Sequence, residues 1–173
     1  LSMQGVGEYV VTRTPGVDVQ MRTAPVNPTT RTASGVTAVA VGGEDDQVVI
    51  DVDDQFVLRV WVGGTELPYD PTVEFTTTST HGDLEVVREG DLVQVTAADG
   101  TVLLARHTFR NWLDLGVTPP KDREGLTGLL GNGDGNPDDD WTARDGSVVT
   151  TDTAGRALYT AFSDTWRVTE DES

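Results

Sequence analysis

The chain has no cysteine in its 173 residues. Disulfides and thiol chemistry are therefore excluded, and any metal must be held by oxygen or imidazole donors. Lysine occurs once, at Lys121, and all Lys and Arg together number 12 against 29 Asp and Glu. The net charge of −17 argues against nucleic acid as a partner, since phosphate contacts need clustered cations. Anionic membrane surfaces are disfavoured for the same reason. The two histidines, His81 and His107, sit outside any His-Glu-x-x-His spacing that would bind zinc, and both are expected as surface or strand residues. No Gly-x-Ser-x-Gly elbow is present, so nucleophilic acyl transfer lacks its parts. No apolar run approaches the roughly 18–20 residues of a membrane-spanning helix, and no membrane insertion is expected.

What the chain does have is acid and glycine, densest in Gly128-Leu129-Leu130-Gly131-Asn132-Gly133-Asp134-Gly135-Asn136-Pro137-Asp138-Asp139-Asp140-Trp141. Between Asn132 and Asp140 lie four carboxylates and two amides. Side-chain oxygens at this density repel one another unless a cation sits among them. A calcium ion takes six to eight oxygens at about 2.3–2.6 Å, drawn from carboxylates, amides and backbone carbonyls. Glycines at 131, 133 and 135 let the backbone bend far enough to bring such oxygens together. The competing reading is an ordinary acidic turn, which Asp, Asn and Gly also favour. An EF-hand is excluded. Counting from Asn132, the glycine position falls on Pro137 and the closing acid on Ala143; counting from Asp134, the glycine position falls on Asp139. A phosphate cradle is excluded too, because no P-loop lysine follows and the aspartates would repel phosphate.

A second acidic patch, Glu44-Asp45-Asp46 with Asp51, Asp53 and Asp54, falls at two strand ends, where solvated acids are routine. Trp141, beside the oxygen-rich loop, is expected as a lid over the loop base rather than a sugar platform. Trp61, Trp112 and Trp166 lie in strand-like segments and are expected in the core. Paired carboxylates for glycoside hydrolysis remain open, since an acidic β protein readily supplies two at about 5–10 Å.

Length predicts one domain, spanning 1–173, able to bury around two-thirds of its unfolded surface. The chain opens at Leu1 without initiator methionine or signal peptide, which suggests a fragment truncated at its N-terminus. Short alternating or β-branched segments recur between turn residues, the pattern of a sandwich or barrel. Strands are expected at Glu8–Thr14, Val17–Thr23, Val36–Val41, Gln47–Val52, Phe56–Val62, Thr65–Pro68, Val73–Thr78, Leu84–Arg88, Leu92–Thr96, Thr101–Arg106, Asn111–Val117 and Val148–Thr151. Gly63-Gly64 suits a tight hairpin turn, and Ala24–Arg31 is expected as a loop. Only Ala154–Phe162 has helical spacing, with Asp152 or Thr153 as its cap. Residues 170–173 form an acidic tail.

Gly128-Leu129-Leu130-Gly131-Asn132-Gly133-Asp134-Gly135 resembles the Gly-Leu-Cys-Gly-Asn-x-Asp-Gly signature of the von Willebrand factor type D domain, with Leu130 in the cysteine's place. Gln4–Val11 is similar to that family's opening strand, Phe56–Gly64 to its central hairpin, and Phe162–Val168 to its closing Phe-Gly-x-Ser-Trp-x-Val segment. The resemblance implies an all-β fold, an antiparallel β-sandwich with one short helix near the C-terminus. It implies a single Ca2+ ion held by the side chains of Asn132 and Asp134, the Asn136 carbonyl, and the carboxylates of Asp139 and Asp140, with Asp138 as second choice. The family usually supplies a further carboxylate from a Phe-Asp-Gly segment just before its first strand, and this sequence begins after that point, so that ligand is expected to be cut away or lost, or replaced by water and another residue. Eukaryotic relatives are rich in disulfides, so a cysteine-free chain suggests a bacterial version without cysteine-mediated multimerisation. Some relatives cleave themselves at an Asp-Pro bond in a Gly-Asp-Pro-His context; Tyr69-Asp70-Pro71-Thr72 lacks it. The function implied is a non-catalytic, calcium-binding extracellular module, secreted or attached to the cell surface, serving structure, adhesion or assembly with a protein or glycan partner. The alternatives are a calcium-dependent carbohydrate-binding module and, behind it, a glycosidase.

Overall fold

A computed structural model describes residues 5–29, 33–43, 46–69, 77–121, 124–150, 155 and 157–172. Among these described residues, eleven antiparallel strands form one sheet: β1 (Gly7–Arg13), β2 (Asp18–Pro25), β3 (Ser34–Gly42), β4 (Gln47–Val52), β5 (Leu58–Val62), β6 (Thr65–Glu66), β7 (Thr77–His81), β8 (Leu84–Glu89), β9 (Leu92–Ala97), β10 (Val102–Phe109) and β11 (Trp112–Thr118). Apolar residues alternate along most of them. In β5, for example, Leu58, Val60 and Val62 are buried while Arg59 and Trp61 between them are not. A period of two puts one face inward and the other towards water.

β3 is the branch point. Along one edge it pairs with β2 from Ser34 to Gly42, and β1 lies beyond β2. Its opposite edge is divided, with residues 38–42 carrying β4 and Val36 meeting Leu113 of β11. Two limbs diverge from that edge, β4-β5-β6 and β11-β10-β9-β8-β7. The sheet curls so that the limbs share one core: Val39, Val41, Ile50 and Val60 on one side meet Leu84, Val86, Val95 and Leu103 on the other. Arg88 stitches the limbs together. It is buried, donates to the Leu58 carbonyl at 3.1 Å and the Gly90 carbonyl at 3.3 Å, and lies 3.8 Å from the centre of the Tyr69 ring. Burial pulls its guanidinium below the ordinary arginine value, against the nearby phenol and acids.

Several expectations needed correction. Strand β5 starts at Leu58, not Phe56, because the Asp53 carboxylate accepts the N–H groups of Gln55 and Val57 and holds Phe56 at φ 64°. Val148–Thr151 is no strand among the described residues; Val148 makes one bridge to Thr142, and the Val149 N–H bonds the Trp141 carbonyl. The helix is shorter than 154–162. It is a π-helical turn at Leu158–Phe162 running into a 3-10 turn at Ser163–Trp166. The Ser163 hydroxyl bonds the Tyr159 carbonyl at 3.0 Å, which competes with regular helix bonding. Residues 151–154, with the expected cap, lie outside the described residues, as do Asp70-Pro71 and most of Val73–Thr78. Trp61 faces outward and donates its indole N–H to Asp51 at 3.2 Å. Trp112 is half-buried and lies against Gly35, outside both apolar clusters. Only Trp166 of the three is in a core, 5% exposed. No described helix is long and apolar enough to cross a membrane.

Candidate metal centre

After β11 the chain returns to close the free edge of β1. Arg13 and Thr127 exchange backbone hydrogen bonds at 2.8 and 3.0 Å, and the Leu129 and Leu130 N–H groups bond the Val10 and Val11 carbonyls. An exposed strand edge would otherwise carry unpaired donors and acceptors. Gly128 makes this approach possible. At φ 129° it lies so close that a Cβ would sit 2.7 Å from the Val11 oxygen. Leu129 then points inward, into a second apolar cluster with Tyr9, Val10, Phe162 and Trp166, and Trp141 packs against the same cluster. Trp141 is thus a lid on the loop base, as expected. Leu130, in the family's cysteine position, is 54% exposed.

The oxygen-rich segment starts from this anchored end. Gly131, at φ 81°, packs directly against the Asp140 carboxylate, where any side chain would collide. Asn132 and Asp140 line one pocket of about 180 Å³, together with Thr142, Arg144 and Trp166. Between them the chain makes three successive Asx turns. Asn132 Oδ1 accepts the Asp134 N–H (3.2 Å), Asp134 Oδ1 that of Asn136 (2.7 Å), and Asn136 Oδ1 that of Asp138 (3.2 Å). Asp134, Asn136 and Asp138 at the tip are exposed, whereas Asp139 and Asp140 are half-buried. Asp139 Oδ1 is buried without a hydrogen-bond partner.

Asn132 and Asp140 are therefore brought to one pocket, while Asp134, Asn136 and Asp138 stand away in solvent. No three Asp, Glu or His side chains converge on a point among the described residues. The donor set still fits a hard cation. It consists of oxygens alone, and a buried carboxylate oxygen with no donor is costly unless a positive charge approaches it. The second acidic patch does not gather. Asp46 and Asp53 lie at opposite ends of β4, and Asp53 is consumed by its own loop. The Val57 N–H, then Arg59 and the Gln55 N–H, draw its pKa down against the cost of desolvation. Glu44 and Asp45 are outside the described residues. His107 bonds the Arg110 carbonyl and lies 3.8 Å from Asp91.

Sequence patterns missed the support beneath the loop. Thr142 Oγ1 donates to the Asp139 carbonyl at 2.6 Å, and the Trp166 indole N–H bonds the Thr142 carbonyl at 3.2 Å. The Arg144 N–H bonds Thr165 Oγ1 at 3.2 Å, and its guanidinium meets both carboxylate oxygens of Glu172 at 2.9 Å. Glu172 also takes Arg13 at 2.8 Å. Burial alone would raise this carboxyl, but the Thr169 N–H, Arg144 and Arg13 outweigh it and bring the pKa down to about 2. The acidic tail is thus partly a clamp between β1 and the segment following the loop.

The family model described as the von Willebrand factor type D domain matches residues 1–147, a span that takes in the whole loop and stops before Phe162–Val168. That closing segment nonetheless touches the opening strand, with the Val168 N–H bonding the Glu8 carbonyl at 3.1 Å. No curated protein sequence matches the chain. The matching family is one of non-enzymatic modules found in extracellular proteins. With most of its length matched, this chain belongs to the von Willebrand factor type D domain family.

Proposed function

We propose that the chain is a non-catalytic, calcium-binding module of a larger extracellular protein, of bacterial type, that serves structure, adhesion or assembly. The observation that carries the metal is Asp139 Oδ1, a buried, unpartnered carboxylate oxygen in a loop anchored at both ends. Calcium would draw Asp134 and the Asn136 carbonyl inward to join Asn132, Asp139 and Asp140, with Asp138 in reserve. The ion cancels the like-charge repulsion that otherwise splays the tip, so loop closure is coupled to metal availability. Magnesium suits the set less, since it demands tight octahedral geometry and surrenders water reluctantly. A carbohydrate site on Trp141 has little to support it, because that ring packs against the cluster beneath the loop.

Calcium at a hundred times its Kd should add about 2.7 kcal/mol, or roughly 5–11 °C in Tm for a chain of this size. Asp134→Ala and Asp140→Ala should each abolish the rise, and a rise that survives in both variants refutes the ligand assignment. For the adhesion role, binding to an extracellular matrix or surface extract should disappear on adding chelator.

A further inference from the structure

Asparagine occurs four times in the chain, at Asn27, Asn111, Asn132 and Asn136. The residues that follow are Pro28, Trp112, Gly133 and Pro137. An asparagine side chain is lost spontaneously when the backbone nitrogen of the next residue attacks its carbonyl carbon. Proline has no N–H to give up, and a tryptophan side chain hinders the approach. Asn132 alone is followed by glycine, which neither lacks the proton nor blocks the carbonyl.

The geometry sharpens the contrast. Asn27, Asn132 and Asn136 all form the same Asx turn, with Oδ1 accepting the N–H two residues on. That N–H points at the oxygen on which negative charge develops as the nitrogen attacks, so each turn polarises its amide for the reaction. In two of the three the attacking nitrogen belongs to proline. Only the turn at Asn132 combines the polarised carbonyl with a usable nucleophile. Asn132 also lines the pocket of about 180 Å³ beside Asp140 and Thr142, which has room for the water that completes the reaction.

We infer that Asn132 is a spontaneous deamidation site within the candidate metal loop, and that bound calcium holds it in check. The Gly133 nitrogen bonds to Asn132 Cγ and gives up its proton, while the Cγ–Nδ2 bond breaks and ammonia leaves. The cyclic imide then takes up one water. Opening at Cγ yields aspartate, and opening at the main-chain carbonyl yields isoaspartate, with the backbone rerouted through the side chain. Overall, amide and water become acid and ammonia, with no oxidant or cofactor. The guarding role rests on the proposed calcium site: an ion tying Asn132 Oδ1 to the other loop oxygens would restrict the rotation that brings Cγ to the Gly133 nitrogen, and that restriction outweighs the polarisation of the carbonyl by the ion. The product either adds a carboxylate to the loop or lengthens its backbone, so an aged, metal-starved molecule differs chemically at its metal centre from a fresh one.

The test is to incubate the folded chain at neutral pH with chelator or with calcium and follow each asparagine peptide by mass spectrometry, scoring isoaspartate. Calcium binding is measured separately by titration calorimetry. In chelator, the Asn132 peptide should take on the mass of an acid while Asn27, Asn111 and Asn136 stay intact. Calcium at a hundred times its Kd should slow the change roughly a hundredfold, following the metal-free fraction. An Asn132 that stays intact in folded, chelated protein while the denatured chain deamidates there overturns the site. Equal rates with and without calcium, alongside a calorimetric binding signal, overturn the guard alone. Equal rates with no binding signal overturn the calcium site and the guard with it.

Discussion

Asp139 would face opposite demands in the metal-free loop and in the calcium-bound loop proposed above. Without metal, its Oδ1 is buried with nothing to accept from, an arrangement that costs about 1–3 kcal/mol. In the proposed calcium-bound loop, the same oxygen would become a ligand. Asp139→Ala should therefore leave the metal-free protein as stable as wild type, or up to about 1 kcal/mol more stable, while removing the gain on adding calcium. Urea denaturation with chelator and with calcium distinguishes the two. A large loss in chelator would mean that Asp139 braces the loop by itself. The oxygen types at this site were legible in the sequence because Asn, Asp and Gly alternate over a few residues. Their positions in space were not. Whether Asp134 turns inward or to solvent depends on charge balance around the tip, which no local pattern encodes. The tryptophans teach the same lesson: a strand-like segment places Trp61 or Trp112 on one of two faces without saying which is buried.

Arg88 belongs to the scale of the elements, because it joins the limb containing β8 to the one containing β5. Its buried guanidinium bonds two backbone carbonyls and covers the Tyr69 ring. Arg88→Ala should cost about 2–4 kcal/mol through the cavity and the carbonyls left unpaired. Thermal unfolding measures this, and a loss under about 1 kcal/mol would show that water replaces the side chain adequately. The C-terminal clamp gives a pH signature. Glu172 titrates near 2 when folded, against 4.5 ordinarily, so the folded state binds that proton less readily. Its stabilisation is fully present above about pH 4.5 and is lost as pH falls towards 2. Glu172→Gln should lower stability at neutral pH by roughly 1 kcal/mol, allowing for partial exposure, and should flatten the stability profile in that acid range. A variant whose profile keeps its slope there would show that other carboxylates set it. Strands were the most legible elements, since a period of two survives in a single sequence, and β4 falls at Gln47–Val52 as expected. The clamp was illegible because it joins residues 28 positions apart inside what composition presents as a solvated tail.

At the scale of the whole molecule, the curled sheet is a scaffold whose first strand needs an outside partner for its free edge. The returning chain supplies it through Thr127, Leu129 and Leu130, and thereby fixes where the acidic loop begins. The closing turn at Ser163–Trp166 and the Glu172 clamp fix the segment in which it ends. The tip between these anchors is the part that the proposed cation would organise. The overall fold class could be inferred from strand periodicity, but the branching at β3 could not, because it depends on two strands sharing one edge. A crystal structure of the chain grown in millimolar calcium tests the central claim most directly. The expected result is one ion at about 2.3–2.6 Å from oxygens of Asn132, Asp134, Asn136, Asp139 and Asp140. Aspartates still turned out to solvent, with nothing but water between Asp139 and Asp140, would contradict it.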